Sequence, residues 1–302
     1  MPFGLLTGLG AALSWGTMDI ASALASRRIG SLGVTVGVQL VSGAILVLAA
    51  LATHIEIPLQ PAVLATSGLL GLIGAGAYFS YFTGLKVGPI SVVSGMVAAY
   101  GGLTVVLAVV VRGESLTLTQ GAGASIATIG VILTGVAFGG GLRGTRFAGP
   151  GVVFAVVALV LFALMAITMD VALESAGWLQ VLLLSRLVTA AISIAAVIWV
   201  AVAARRRAMV AGQAQAAAPA EPIPRVRVAA MLLVAGGLDV AGLTSFAIGL
   251  SSAPTWMVGL ASSFGPAVTI VVAVALLGER LRPIQWFGLV GVAIGMIAIG
   301  LP

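Results

Sequence analysis

The sequence predicts an all-α membrane protein of ten transmembrane helices, arranged as two inverted five-helix repeats. Three observations predict it. Hydrophobic residues make up 61% of 302 positions and charged residues 7%, more apolar surface than a soluble core of this length needs. Residues 68–135 lie over residues 233–300 without a gap, so Gly84-Leu85 falls on Gly249-Leu250, Pro89 on Pro254 and Gly113-Glu114 on Gly278-Glu279. Upstream the likeness resumes at other offsets, with Thr17-Met18-Asp19 against Thr168-Met169-Asp170 and Gln39-Leu40-Val41 against Arg186-Leu187-Val188. The third observation is a charge bias between the loops of the two membrane faces.

Apolar runs broken by short polar or Gly/Pro stretches place helices at about 4–25, 31–53, 62–84, 89–111 and 118–138 in the first half. The second half repeats them at about 149–172, 178–203, 228–250, 255–277 and 283–301. Each is near the ~20 residues that cross a bilayer as a helix, and none alternates apolar with polar as barrel strands do. The fifth and tenth helices carry Gly130 with Gly135 and Gly291 with Gly295. Small residues at such spacing let helices approach closely, so these two are expected to pack at the seam or at a dimer face. Residues 1–140 form the first repeat and 149–302 the second, joined by 139–148. The stretch 204–226, Arg-rich and then rich in Ala, Gln and Pro, reads as a flexible linker within the second repeat.

Five helices per half set the halves in opposite orientations, and charge tests this. Arg27, Arg28, Lys86, Arg143, Arg146, Arg205, Arg206, Arg207, Arg225, Arg227, Arg280 and Arg282 all fall in loops of one side, out of 14 Lys+Arg in total. Arg112 lies on the other side and Arg186 inside a helix. The positive-inside rule puts the Arg-rich loops, with the 204–226 linker, in the cytoplasm and both termini outside.

Composition also excludes. There is no Cys, and His54 is the single histidine, so thiolate chemistry, a histidine metal site and a Ser-His-Asp triad within the membrane are not expected. No catalytic residue, metal or cofactor is assigned and the chain is not read as an enzyme. No Walker motif offers direct drive by ATP. The net charge of +6 records membrane orientation, not nucleic-acid binding. Met1-Pro2-Phe3-Gly4 lacks the positive start of a cleaved signal peptide.

Gly113-Glu114-Ser115-Leu116 with Gln120 and Gly123, and Gly278-Glu279-Arg280-Leu281 with Gln285 and Gly288, resemble the EamA family of the drug/metabolite transporter superfamily. The resemblance covers 4–301. It implies a multi-pass protein of the cell (inner) membrane that exports small metabolites, often amino acids or drug-like compounds, through a cavity between the halves. Many members have cytoplasmic termini, whereas the charges here place them outside.

Charges inside the membrane mark candidate sites, because each costs roughly 2.5–3.5 kcal/mol at mid-bilayer. Asp239, about eleven residues into the eighth helix, and Arg186, about eight into the seventh, lie deepest by sequence. They read either as a ligand or proton site or as a mutual salt bridge between helices. A proton exchanged at Asp239 would couple to transport. Asp19 and Asp170 are gate or helix-end candidates, the first toward the cytoplasm and the second toward the outside. Gly101-Gly102 and Gly265-Pro266 interrupt helices at matching places in the two halves, a pointer to a transporter site. Ser262 and Ser263 precede the second interruption and could equally bond back to helix carbonyls. Trp15, Tyr78, Tyr81 and Tyr100 supply candidate cavity walls. Trp178, Trp199 and Trp286 read as interfacial anchors, and Trp256 leans the same way. Glu114 and Glu279 read as structural acids facing the helix that follows each.

The function these residues support is a secondary active carrier working by alternating access on an amino acid or amphipathic compound. Its expected partners are that small molecule and the lipid bilayer, as monomer or homodimer. A non-transporting scaffold or receptor is the alternative. A nucleotide-sugar-type exchanger ranks below both, since a phosphate wants more than one buried cation.

Overall fold

A computed structural model describes residues 2–87, 93, 96–136, 150–210, 225–265, 267–268 and 283–300. Among these the chain is helical, with no strand. The elements are α1 (Pro2–Thr53), α2 (Pro61–Val87), α3 (Tyr100–Arg112), α4 (Leu118–Val136), α5 (Pro150–Leu173), α6 (Trp178–Val210), α7 (Arg225–Leu250), α8 (Thr255–Ser262) and α9 (Pro283–Gly300). Five segments are long and apolar enough to span a bilayer: Leu32–Thr53, Pro61–Gly84, Pro150–Leu173, Trp178–Val200 and Val226–Leu250. Shorter apolar helices run over Met96–Arg112, Leu118–Leu133 and Trp286–Ile299. The chain is thus an all-α, multi-pass membrane protein. The junction 139–148, Pro266 and Gly278-Glu279 lie outside the described residues.

Two boundaries differ from expectation. The first two expected helices are one element, α1, broken at Gly30, where the backbone takes φ 75°. That left-handed conformation is cheap for glycine, and a single residue there replaces the expected loop. The chain reverses at this point. Before it, Thr7 lies against Gly249 and Trp15 against Gly242, antiparallel to α7. After it, Gly37 meets Leu232 and Val41 meets Gly236, parallel to α7. The linker is also shorter than expected at its ends, because α6 continues through Arg205, Arg206 and Arg207 to Val210 and α7 begins at Arg225.

The halves pack across one another. Both arms of α1 sit on α7, while α2 sits on α5 and α6. The Ser42 hydroxyl lies 3.3 Å from the Gly236 carbonyl, and Thr189 donates to the Gly71 carbonyl at 3.0 Å. These contacts are counterparts, since Ser42 corresponds to Thr189 and Gly71 to Gly236 in the internal alignment. The same reciprocity holds where α4 and α9 meet. A Cβ at Gly123 would stand 2.9 Å from the Gly295 carbonyl, and one at Gly130 would stand 2.7 Å from that of Gly288. Gly288 is the counterpart of Gly123 and Gly295 that of Gly130. Equivalent elements touching through swapped equivalents are what a local twofold axis produces. The two helices run antiparallel, as the pairing of 123 with 295 and 130 with 288 requires.

Large apolar side chains such as Val110, Phe287 and Val226 stand on the outside, where lipid takes the place of a protein core. Trp199 and Trp286 are exposed there too. Trp256 is not an anchor: it is 1% exposed and packs with Leu260, Phe264 and Ile299 in the core.

Candidate functional site

Helices α3 and α8 cross antiparallel at the centre, with Gly101 against Ser263 and Gly259 against Thr104. Each is interrupted just beside the crossing. The turn before α3 falls at Ala99, whose amide bonds the Met96 carbonyl at 3.1 Å. The turn ending α8 falls at Ser263-Phe264, where Phe264 reaches back to Ala261 at 3.4 Å. Ala99 and Phe264 are counterparts at the offset that puts Gly84 on Gly249. The breaks are therefore tight i to i−3 turns one or two residues ahead of the glycines. Gly101 serves close approach, since a Cβ there would stand 2.6 Å from the Ser263 Cβ. Gly102 is packed in the same manner against Thr128, and Gly265 is buried.

Beside this crossing lies a cavity of about 90 Å³. Room for one water takes roughly 10–15 Å³ on this measure, so the space suits a small organic molecule. Trp15, Met18 and Asp19 of α1 form one wall, Tyr78 and Tyr81 of α2 another, and Phe162, Met165 and Ala166 of α5 a third. Val97, Ala98, Tyr100, Phe246, Ser262, Ser263 and Gly265 complete it. Phe162 stands at the middle of the aromatic lining, with its ring centroid 5.5 Å from Tyr78, 6.1 Å from Tyr81 and 5.9 Å from Tyr100.

The hydroxyls of the wall are held from behind, whereas the buried Trp15 indole N–H has no partner among the described residues. Ser262 and Ser263 donate to the Gly259 and Leu260 carbonyls at 2.8 and 2.7 Å. Each hydroxyl has one proton, so in the 2.8 Å contact between Tyr100 and Ser262 the tyrosine is the donor. Asp19 is half-buried and accepts from the Tyr81 hydroxyl at 3.3 Å. Asp19 is the one ionisable acid on the wall, and no Lys, Arg or His lines it among the described residues.

Arg186 and Asp239 do not line this cavity. They form an ion pair at 2.9 Å, 4% and 0% exposed, behind Tyr78. Tyr78 joins the two regions: its hydroxyl donates to Asp239 at 3.1 Å, and the Arg186 guanidinium carbon lies 5.9 Å from its ring centroid. Ser42 donates to Asp239 at 2.6 Å, and Arg186 also donates to Gln39. The pair is buried because α6 and α7 meet α1 there, and a dry helix junction holds charges only as a satisfied network. Sequence reasoning does not single out Gln39 or Ser42 as site residues, although Gln39 stands at the position equivalent to Arg186.

Asp170 lies elsewhere. Arg112 donates to it at 2.7 Å and also to Glu174. Next to them Glu114 accepts the amides of Thr255 and Trp256 at 2.9 and 3.0 Å. Glu114 thus caps the first turn of α8 in the other half, not the helix that follows it, because α8 starts where those donors lack helical partners. Gly4 packs on Ala253 at this end, and Asp19 is about 22 Å further along α1 at 1.5 Å per residue. Asp19 and Asp170 therefore sit toward opposite ends.

A helical membrane protein with two crosswise halves and a polar-edged cavity at their crossing has the architecture of a membrane transporter. The EamA-like transporter family matches residues 2–136 and 149–301, and the chain belongs to it. Among solved structures 29 chains match. One crystal structure of a protein, 22% identical, superposes with a TM-score of 0.76 over 98% of this chain and 96% of its own, a likeness of fold. No curated protein matches the chain.

Proposed function

We propose that this chain is a secondary active transporter of the cell membrane, exporting a small amphipathic metabolite by alternating access. The observation that carries this reading is the cavity beside two interrupted helices that cross at equivalent positions of the two repeats. Ten spans in two inverted halves supply the mechanism: rocking one half against the other exposes a fixed site to each side in turn. Arg112 with Asp170 and Glu174, beside the Glu114 cap, ties the ends of α3, α5 and α8 at one face. In this reading the network acts as a gate that closes one end of the cavity. Asp19 is the equivalent acid at the other end and has no cation partner among the described residues. An amino acid's carboxylate would need Arg186, which Asp239 and Gln39 hold. The reading therefore favours an amphipathic compound without a carboxylate.

The test is solute counterflow in proteoliposomes preloaded in turn with aromatic amines, aliphatic amines and neutral amino acids. Saturable entry of the labelled compound, accelerated by the same unlabelled compound on the opposite side, is expected for at least one class. Protein that is folded yet gives no counterflow with any class overturns the carrier reading.

A further inference from the structure

The cavity wall is electrically lopsided. The fold's deep cation, Arg186, is withdrawn into a neutral network with Asp239, so neither charge of that pair reaches the cavity. What remains on the wall is a carboxylate, Asp19, among aromatic rings. Asp19 is held by the Tyr81 hydroxyl at 3.3 Å, a single long contact for a group with two oxygens and about four lone-pair sites. Its counterpart Asp170 is paired with Arg112 at 2.7 Å. The position equivalent to Arg112 in the second repeat is Leu277, so the cation that pairs with Asp170 has no counterpart at that position. An acid on an apolar wall favours a positive charge brought by a ligand, and aromatic faces attract the same charge through their ring quadrupoles.

We propose that the cavity binds a small monovalent organic cation with an apolar or aromatic body. Asp19 is its counter-ion, and Tyr78, Tyr81, Tyr100 and Phe162 form its aromatic wall. This deepens the transport reading by naming the substrate class of the same cavity. The ammonium sits at the Asp19 end. The apolar part lies against the rest of the wall, which is built of aromatic rings, Ala98, Ala166 and Met165, with the Ser262 and Ser263 hydroxyls already donating to helix carbonyls. Trp15 and Phe246, at 5.7 Å between ring centroids, close the side toward α7.

Binding, not flux, tests it. Full-length protein in lipid nanodiscs is titrated with 2-phenylethylammonium, benzyltrimethylammonium, and the neutral 2-phenylethanol of matching shape. Tryptophan emission and the melting midpoint are the readouts, since a ligand that binds only the folded state raises the midpoint. Both cations are expected to bind, and the alcohol at least about tenfold more weakly, the loss of about one charge-assisted contact. Asp19→Asn is expected to weaken both cations by a similar factor, Asp19→Glu to restore them, and Asp239→Asn with Arg186→Gln to leave them unchanged. The Asp19 variants' melting midpoints without ligand show that they fold. Equal binding of alcohol and cations, or full cation binding by folded Asp19→Asn, overturns the proposal. Cation binding without counterflow would refute the carrier reading and leave this one standing. Counterflow of a neutral solute that is indifferent to Asp19 would do the reverse.

Discussion

Asp239→Asn gives the sharpest energetic test of the core. Asp239 is 0% exposed and receives Arg186 at 2.9 Å, Ser42 at 2.6 Å and Tyr78 at 3.1 Å. An asparagine keeps one acceptor oxygen, so part of the hydroxyl bonding survives. Interhelical hydrogen bonds in membranes average only about 0.6 kcal/mol, because the unfolded chain in the bilayer also finds partners. Their weakening is therefore worth about 1 kcal/mol. The larger effect is the guanidinium left in a site only 4% exposed, with Gln39 and the Tyr78 ring as company. Breaking a buried pair from one side costs about 3–5 kcal/mol, which lowers the folded-to-unfolded ratio by roughly two to four orders of magnitude. Adding Arg186→Gln removes the stranded charge and is expected to return most of the loss, leaving about 1–2 kcal/mol. The measurement is reversible unfolding in mixed micelles, with both single variants and the double variant compared as a cycle. A coupling below about 1 kcal/mol, or a double variant no more stable than Asp239→Asn, would refute the argument. Counterflow by the double variant then separates roles: full activity marks the pair as structural.

Two further outcomes follow from the halves. Gly130→Leu is expected to destabilise by about 2 kcal/mol or more, because a Cβ there stands 2.7 Å from both the Gly288 carbonyl and the Val292 amide, backbone atoms that cannot turn aside. The same unfolding titration checks it, with Gly121→Leu as the tolerated control, since nothing lies within 4 Å of a Cβ at that position. Cysteine placed after residue 2 is expected to react with an impermeant maleimide in intact cells and cysteine at 215 is not, and the reverse pattern would invert the membrane orientation.

Much of the fold is legible in the sequence because a bilayer forces long apolar runs and a repeat makes each run vouch for another. The internal alignment ties Ala99 to Phe264, and both prove to be turns. It ties Gly130 to Gly295, and both meet a partner helix. Details decided by contact between halves are not legible. Glu114 follows α3 directly along the chain, yet its partners, the amides of Thr255 and Trp256, are 141 and 142 residues away. Trp256 reads as interfacial because it stands at the start of a helix, but that helix starts inside a packed junction. Phe162 gives no signal, being one apolar residue in an apolar run. Gln39 carries a usable signal, its alignment with Arg186.

That alignment explains where the ion pair sits. Gln39 and Arg186 are equivalent residues of the two repeats, and they touch each other. In a structure with a local twofold axis, two equivalent side chains in contact must lie beside that axis. A perfectly repeated chain would bring two arginines face to face there, a like-charge contact in a dry junction. Here one copy has glutamine, an uncharged acceptor that takes a hydrogen bond from Arg186. The acid is likewise present once: Asp239 has Gly74 as its counterpart, and Gly74 packs near Thr189, the counterpart of Ser42. The repeats therefore keep their symmetry in the glycines and hydroxyls that pack the halves together. They break it in the charges, which cancel at the axis and leave Asp19 to set the sign of the cavity.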